Sequence, residues 1–199
     1  RKSIRDFEER EIDIDTIKKI LDAGLQAPSN NHMREWEFII INDKDTRLTV
    51  LDKIHNVVTK KEIENILDEW KALDPIQRES YFDAIPKQYK MLLTAGCLII
   101  PCFRQPYPLL KPTEISSLNY FASIWCCIEN ILLAAVAEGI YGVTRIPLGS
   151  ESQHIKTVLA IPEDYEVPCY LALGYPDKNA KRAKQNSIQV EDRIHFNKW

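Results

Sequence analysis

A chain of 199 residues with 45% hydrophobic and 28% charged residues has the makeup of one globular domain, large enough to bury a substantial core. A formal net charge of -3 and a pI near 5.9 leave no general electrostatic pull toward nucleic acid or an anionic membrane, and neither is expected as a partner. The five cysteines, at 97, 102, 126, 127 and 169, are odd in number, form no CxxC and lie mostly in apolar runs, which favours buried free thiols in a reducing, cytoplasmic setting over disulfides or a metal centre.

In chain order, Ile17, Ile20, Leu21 and Leu25 fall at helical spacing, with Asp13 or Asp15 as N-cap and an end expected near Pro28. The loop APSNNHMREW follows, then FIII (Phe38 to Ile41) as a short buried strand. Thr46 to Val58 and Lys60 to Leu73 read as two amphipathic helices; the second carries Ile63, Ile66, Leu67 and Trp70 on one face. Pro75 to Tyr89 is expected to be a helical excursion that could cover a pocket, within a loosely patterned stretch over 60–93. Cys97 to Phe103 is a second buried strand.

Ser117 to Gly139 predicts a long helix apolar on so much of its circumference that it must be buried on several sides, centrally or across a subunit interface. Glu129 and Asn130 interrupt its apolar run, which argues against a membrane span. Gln153 to Ala160 reads as a shorter helix capped by Ser150 or Ser152, and Val167 to Leu173 as a third strand ended by Gly174-Tyr175-Pro176. The mixture lacks the strict alternation of a doubly wound sheet, so the fold class is α+β, in a single domain over 1–199. The chain begins at Arg1 without a Met, which leaves a preceding segment open.

Cations gather at two places. Arg1, Lys2 and Arg5 surround Ser3, while Lys178, Lys181, Arg182 and Lys184 follow the third strand. Two basic ends on an acidic chain suggest a shared anion, and guanidinium and hydroxyl donors suit a phosphate; solvated tails are the simpler reading of composition alone. No metal is expected, because His32, His55, His154 and His195 have no ligand spacing; His55 and His154 fit solvent-facing helix turns. Walker A and GxGxxG patterns are both absent.

Taken in order, RKSIRDF, a capped helix and then APSNNHMREWEFIII resemble the opening of the nitroreductase family of FMN-dependent oxidoreductases. That family begins R-[RK]-S-x-R-x-[FY] and continues A-P-S-x-x-N-x-Q-P-W. AAVAEGIYGV, IPEDY, YLALGYP with its basic tail, and the final NKW are similar too, so the resemblance covers nearly the whole chain, 60–93 least.

The resemblance implies a three-layer fold with a central mixed or antiparallel sheet, an intertwined homodimer, and FMN at the interface. Arg1, Lys2 and Ser3 would hold phosphate and ribityl chain; Arg5 would lie at the pyrimidine edge; Lys181, Arg182 or Lys184 would complete the phosphate site. Pro28 and Ser29 match the loop laid against the cofactor, with Asn30 beside them a further candidate, and the loop is expected to reach across into the partner's site. His32, Arg34 and Glu35 replace the family's Asn, Gln and Pro. They add possible positive charge beside the flavin, which would raise its potential or suit an anionic substrate; an Arg34 ion pair with no redox role is the alternative. The backbone of Gly142, Val143, Thr144, Arg145 and Ile146 would face the flavin N5 edge, with Arg145 meeting substrate or the surface, and Trp199 with the tail before it would wrap the partner. The implied activity takes hydride from NADH or NADPH and reduces a small organic acceptor by a ping-pong mechanism; a flavin storage or sensing protein is the alternative. No side chain is required as an acid, His32 and Arg34 being the catalytic candidates.

Overall fold

The computed structural model describes residues 1–57, 59–182, 185 and 187–199. Helix α1 (Ile14–Leu25) starts where Asp13 accepts the Thr16 N–H at 2.8 Å, and ends three residues before Pro28. Strand β1 (Trp36–Ile41) begins earlier than the FIII run, and α2 (Lys44–Leu51) follows, capped by Asp43. The second helix expected from the sequence thus stops at Leu51. Ile54 joins the main core and Val57 a separate small cluster, so the chain must leave helical geometry to bury both; His55 lies in that loop and not on a helix turn.

α3 (Lys60–Glu69) opens with a capping box between Thr59 and Glu62. It is shorter than its apolar pattern, and Trp70 is its cap, 46% exposed, with its ring edge-on to Tyr81. The stretch read as an excursion becomes α4 (Pro75–Ala84), whose proline occupies the first turn, and α5 (Gln88–Thr94), joined by a 3-10 turn. β2 (Cys97–Arg104) leads to α6 (Asn119–Ala137), which a 3-10 turn over Ile115–Leu118 precedes. β3 (Tyr141–Arg145), α7 (Glu151–Val158), β4 (Tyr165–Glu166) and β5 (Tyr170–Gly174) complete the fold. The third strand of the sequence reading begins three residues later than Val167, at Tyr170: Pro168 lacks the N–H a ladder would need, and β4 is a separate short piece before it. Ser150 is the N-cap of α7, but its hydroxyl makes no capping bond.

The sheet runs β1-β2-β5-β3, every pair antiparallel, with β4 alongside the end of β2. Leu98, Ile100, Cys102, Tyr170 and Ala172 face one core together with α2, α5 and α7. Cys97, Ile99, Phe103, Leu171 and Leu173 face the other, with α1 and α6. Three layers result, and the alternation along each central strand assigns every side chain to one of the two cores. Residues 115–137 have mean hydropathy 1.7 and enough length to cross a bilayer. Here Ile124, Cys127, Ile128, Ile131, Leu132 and Ala135 are buried against α1 and the sheet. The opposite side of α6, including Cys126 and Leu133, is exposed in the single chain, so the helix is buried on one side only.

Gly96 shows how closely the N-terminal segment is laid on this frame. A Cβ there would collide with the carbonyl oxygen of Arg10, which is backbone and cannot rotate away. Gly96→Ala is expected to destabilise the protein by about 1–3 kcal/mol, read as a lowered urea midpoint; an unchanged midpoint would show that the segment is not held there.

Candidate functional site

The first seven residues run along the outer edge of β3. Ser3 bridges Gly142 in parallel, Phe7 bridges Pro176, and the Glu8 N–H donates to Tyr175 O at 2.9 Å. The tail after β5 turns back beside them, because the Asp177 N–H donates to Asp6 O at 3.0 Å and Lys2 Nζ donates to Gln185 at 3.3 Å. The two cation groups are therefore brought to one rim, as a shared anion requires. Arg1 pairs with Glu129 of α6 at 3.1 Å, Lys181 stands 3.8 Å from Asp83, Arg182 is exposed, and Lys184 lies outside the described residues.

Arg5 is the inward cation of the group. Its guanidinium is half-buried, and burial lowers its pKa while Asp83 and Asp6 raise it in part. No hydrogen bond to this guanidinium is formed among the described residues. It lines a cleft of about 610 Å³ together with Asp74, Gln77, Ser80 and Tyr81 of the α4 region and with Ile188 of the tail. The helical excursion does border a pocket. A larger cleft of about 720 Å³, between residues 9–14, the end of β1 and the start of β2, contains none of the predicted cofactor residues.

The APSNNHMREW loop is elsewhere. The Asn30 N–H donates to Ser123 Oγ of α6 at 3.0 Å and the Arg34 N–H to Ser29 Oγ at 3.1 Å, while Pro28, His32 and Arg34 are exposed. Asn31, His32 and Arg34 all have positive φ, at 52°, 58° and 47°, a conformation that costs a side-chain-bearing residue about 1–2 kcal/mol. Glu35 pairs with Arg104 at 2.9 Å, and Arg104 also reaches Asp164, so the alternative of an Arg34–Glu35 ion pair is not formed. The loop leads into β1, at one edge of the sheet; Ser3 and Arg5 lie by β3, at the other. Ser3 pairs outside β3, so four strand spacings, about 19 Å, separate the two groups within one chain.

Gly142 and Val143 sit in β3, both buried, with Gly142 bridged to Ser3 and Val143 in the core. Arg145 corrects the sequence reading: it meets neither surface nor open pocket but is 7% exposed, forks onto Glu151 and donates to Gln88 at 2.9 Å. Charge at the end of an apolar strand gave no hint of a partner six residues on. The thiols divide: burial pushes Cys97, Cys102 and Cys127 up to about 12 and raises Cys169 further, whereas Cys126, expected to be buried, is exposed on the free side of α6. Lys87 was not anticipated. It bridges Asp6 at 2.7 Å and Asp83 at 2.8 Å and so pins the N-terminal segment to α4; only the fold brings these three residues together.

A sheet with helices on both faces, a basic N-terminal segment against β3 and an exposed polar loop before β1 define a three-layer α+β protein. The family model for the nitroreductase family matches residues 1–175, and the chain belongs to that family. It is 27% identical over its whole length, and 94% of the relative's, to a protein of Archaeoglobus fulgidus named "Putative NADH dehydrogenase/NAD(P)H nitroreductase". It is 26% identical, over 90% of this chain and 78% of the relative, to an iodotyrosine deiodinase of Haliscomenobacter hydrossis. Among solved structures, an FMN-dependent nitroreductase of Clostridium difficile R20291 superposes with TM-score 0.69 at 20% identity, covering 100% of this chain and 96% of that one.

Burial alone would lower the Lys87 pKa, but its hydrogen bonds to Asp6 and Asp83 outweigh this and raise it. A raised folded pKa means that the stabilisation is complete below the unfolded lysine value, about 10.4, and is lost as pH rises through the folded value. Lys87→Met should therefore cost about 1 kcal/mol at pH 7, with screening at this partly exposed site allowed for, and the gap to wild type should close above about pH 10.5 in urea titrations. A gap independent of pH would exclude the charge as its origin.

Proposed function

We propose that this protein is an FMN-dependent oxidoreductase that takes hydride from NADH or NADPH and reduces a small organic acceptor such as a nitroaromatic or a quinone. The observation that carries the reading is the return of the tail beside the basic N-terminal segment, with Ser3 on β3 and Lys2 against Gln185, and the half-buried Arg5 lacking a hydrogen-bond acceptor of its own among the described residues. The donor set fits the cofactor: hydroxyl and cations suit a phosphate, and an inward guanidinium suits the carbonyl-rich pyrimidine edge. FMN held there supplies hydride acceptance from the nicotinamide and donation to the acceptor.

The chain's own residues bind and orient. Arg5 holds a fixed positive charge where negative charge develops, and Gly142 and Val143 offer backbone alone on the β3 side. In this reading nicotinamide and acceptor use one flavin face in turn, which gives ping-pong kinetics. The relatives' names include a deiodinase as well as a nitroreductase, which keeps halogenated phenols within the acceptor class.

The working unit in this reading is a homodimer. Pro28, Ser29, Asn30, His32 and Arg34 stand about four strand spacings from the phosphate rim of their own chain, and in this reading a second copy brings them to it. The exposed side of α6 and the tail, whose Phe196 is 84% and Trp199 101% exposed, are the surfaces such a pairing would cover.

The first test is a visible spectrum of the purified protein followed by anaerobic NADPH and then NADH. A yellow protein that bleaches is expected. One that stays yellow would assign flavin storage or sensing instead, and a colourless protein that refuses added FMN would refute the reading. Leu133 is 51% exposed on α6, and Leu133→Asp should place a charge in the interface. Sedimentation should then give a monomer with FMN retention down at least about tenfold, since removal of a composite site's second half costs more than 1.4 kcal/mol. A dimer with full flavin content would contradict the shared site.

A further inference from the structure

Between β3 and α7 the chain makes a five-residue turn over 146–150, with Ile146 59% and Leu148 53% exposed and Gly149 at φ +53°. An exposed turn with no core of its own is normally loose. This one is tied from below. Glu151 accepts from both terminal nitrogens of Arg145, Nη2 at 2.8 Å to Oε1 and Nη1 to Oε2, and its Oε2 also accepts the Leu148 N–H at 3.2 Å. The Glu151 N–H returns to Leu148 O at 3.0 Å. Arg145 Nε donates to Gln88 Oε1 of α5 at 2.9 Å, and its guanidinium lies 5.5 Å from the Tyr170 ring centre on β5. Both charged side chains are 7% exposed.

Stability alone is a poor reason for this cluster. A buried ion pair surrenders two hydration shells, and apolar side chains of similar volume often serve as well or better. What apolar side chains cannot supply is direction. A carboxylate that receives a forked guanidinium and a backbone N–H fixes where the turn stands relative to β3 to within a fraction of an ångström. Gln88 on α5 and Tyr170 on β5 hold the guanidinium from two further elements, so the anchor belongs to the rigid frame and not to the turn.

We infer that Arg145 and Glu151 are positioning residues: their buried ion pair clasps the 146–150 turn so that the backbone at the end of β3 is held in register beside the flavin edge. The inference rests on the FMN reading above and adds to it the group that keeps that edge rigid. Neither residue touches cofactor or substrate. Both act through the turn's main chain.

The test uses the full-length protein loaded with FMN, comparing wild type with Arg145→Met/Glu151→Leu, which keeps the volume apolar, and with Glu151→Gln, which keeps the shape. Flavin content, amide hydrogen exchange over 146–150, the flavin midpoint potential and the rate of reduction by the nicotinamide that bleaches wild type are read together. The double variant should bind FMN within a few-fold of wild type. Exchange over the turn should rise at least about tenfold, reduction should slow at least about tenfold with nicotinamide KM little changed, and the potential should shift. Should the double variant fail to fold, Glu151→Gln is read alone and should show the same changes in the same sense. Variants with unchanged exchange, potential and reduction rate would overturn the positioning role while leaving the FMN reading intact. A wild type that takes up no FMN would remove both.

Discussion

β2 and β5 have almost no polar side chain, and the whole molecule is arranged around covering them. Seven of the eight residues of β2 and all five of β5 are buried, which is possible only if helices lie on both faces of the sheet and other strands lie on both edges. The covering helices divide accordingly, α2, α5 and α7 on one side and α1 and α6 on the other. Chemistry is then displaced outward to the two edges, where β3 receives the N-terminal segment and β1 receives the polar loop.

Much of this was legible because burial leaves a pattern. CLIIPCF is a strand in any reading, and Asp13 announces α1 by the bond it accepts. One failure has tertiary burial overriding a local pattern; the others passed over a breaker or a short strand. Thr46 to Val58 kept helical spacing on paper, yet Ile54 and Val57 are claimed by different cores and the helix ends at Leu51. Val167 to Leu173 looked continuous until Pro168 interrupted it, and β3 was read as a ligand-facing stretch and not as a strand.

The site divides in the same way. Cations on two distant segments could be suspected of sharing an anion from charge alone, and the antiparallel return after β5 brings them together. Arg145 could not be read, since a lone cation in a strand of five residues says nothing of Glu151 beneath it. Neither could Lys87, whose two carboxylate partners are four and 81 residues away along the chain. Glu151 and Asp6 are brought to their partners by packing of elements whose relative placement no local motif encodes, whereas Asp83 and Lys87 stand four apart, a local spacing. The loop residues His32 and Arg34 were recognised as departures from the family's pattern, but their left-handed backbone was not.

The order in which α6 and its neighbours leave the ribosome also matters. A segment of mean hydropathy 1.7 over 115–137 has the length and composition of a membrane-spanning helix, and its two interrupting polar residues are tied to earlier chain: Asn130 donates to Ala23 O of α1 at 3.3 Å and the exposed Glu129 pairs with Arg1. Every one of those contacts is to chain synthesised earlier. α1, β1 and β2 are therefore already available as a docking surface when the apolar helix emerges, and its buried face can be claimed by its own chain as it appears. A circular permutation that moved residues 1–41 behind α6 would preserve each contact and remove that head start.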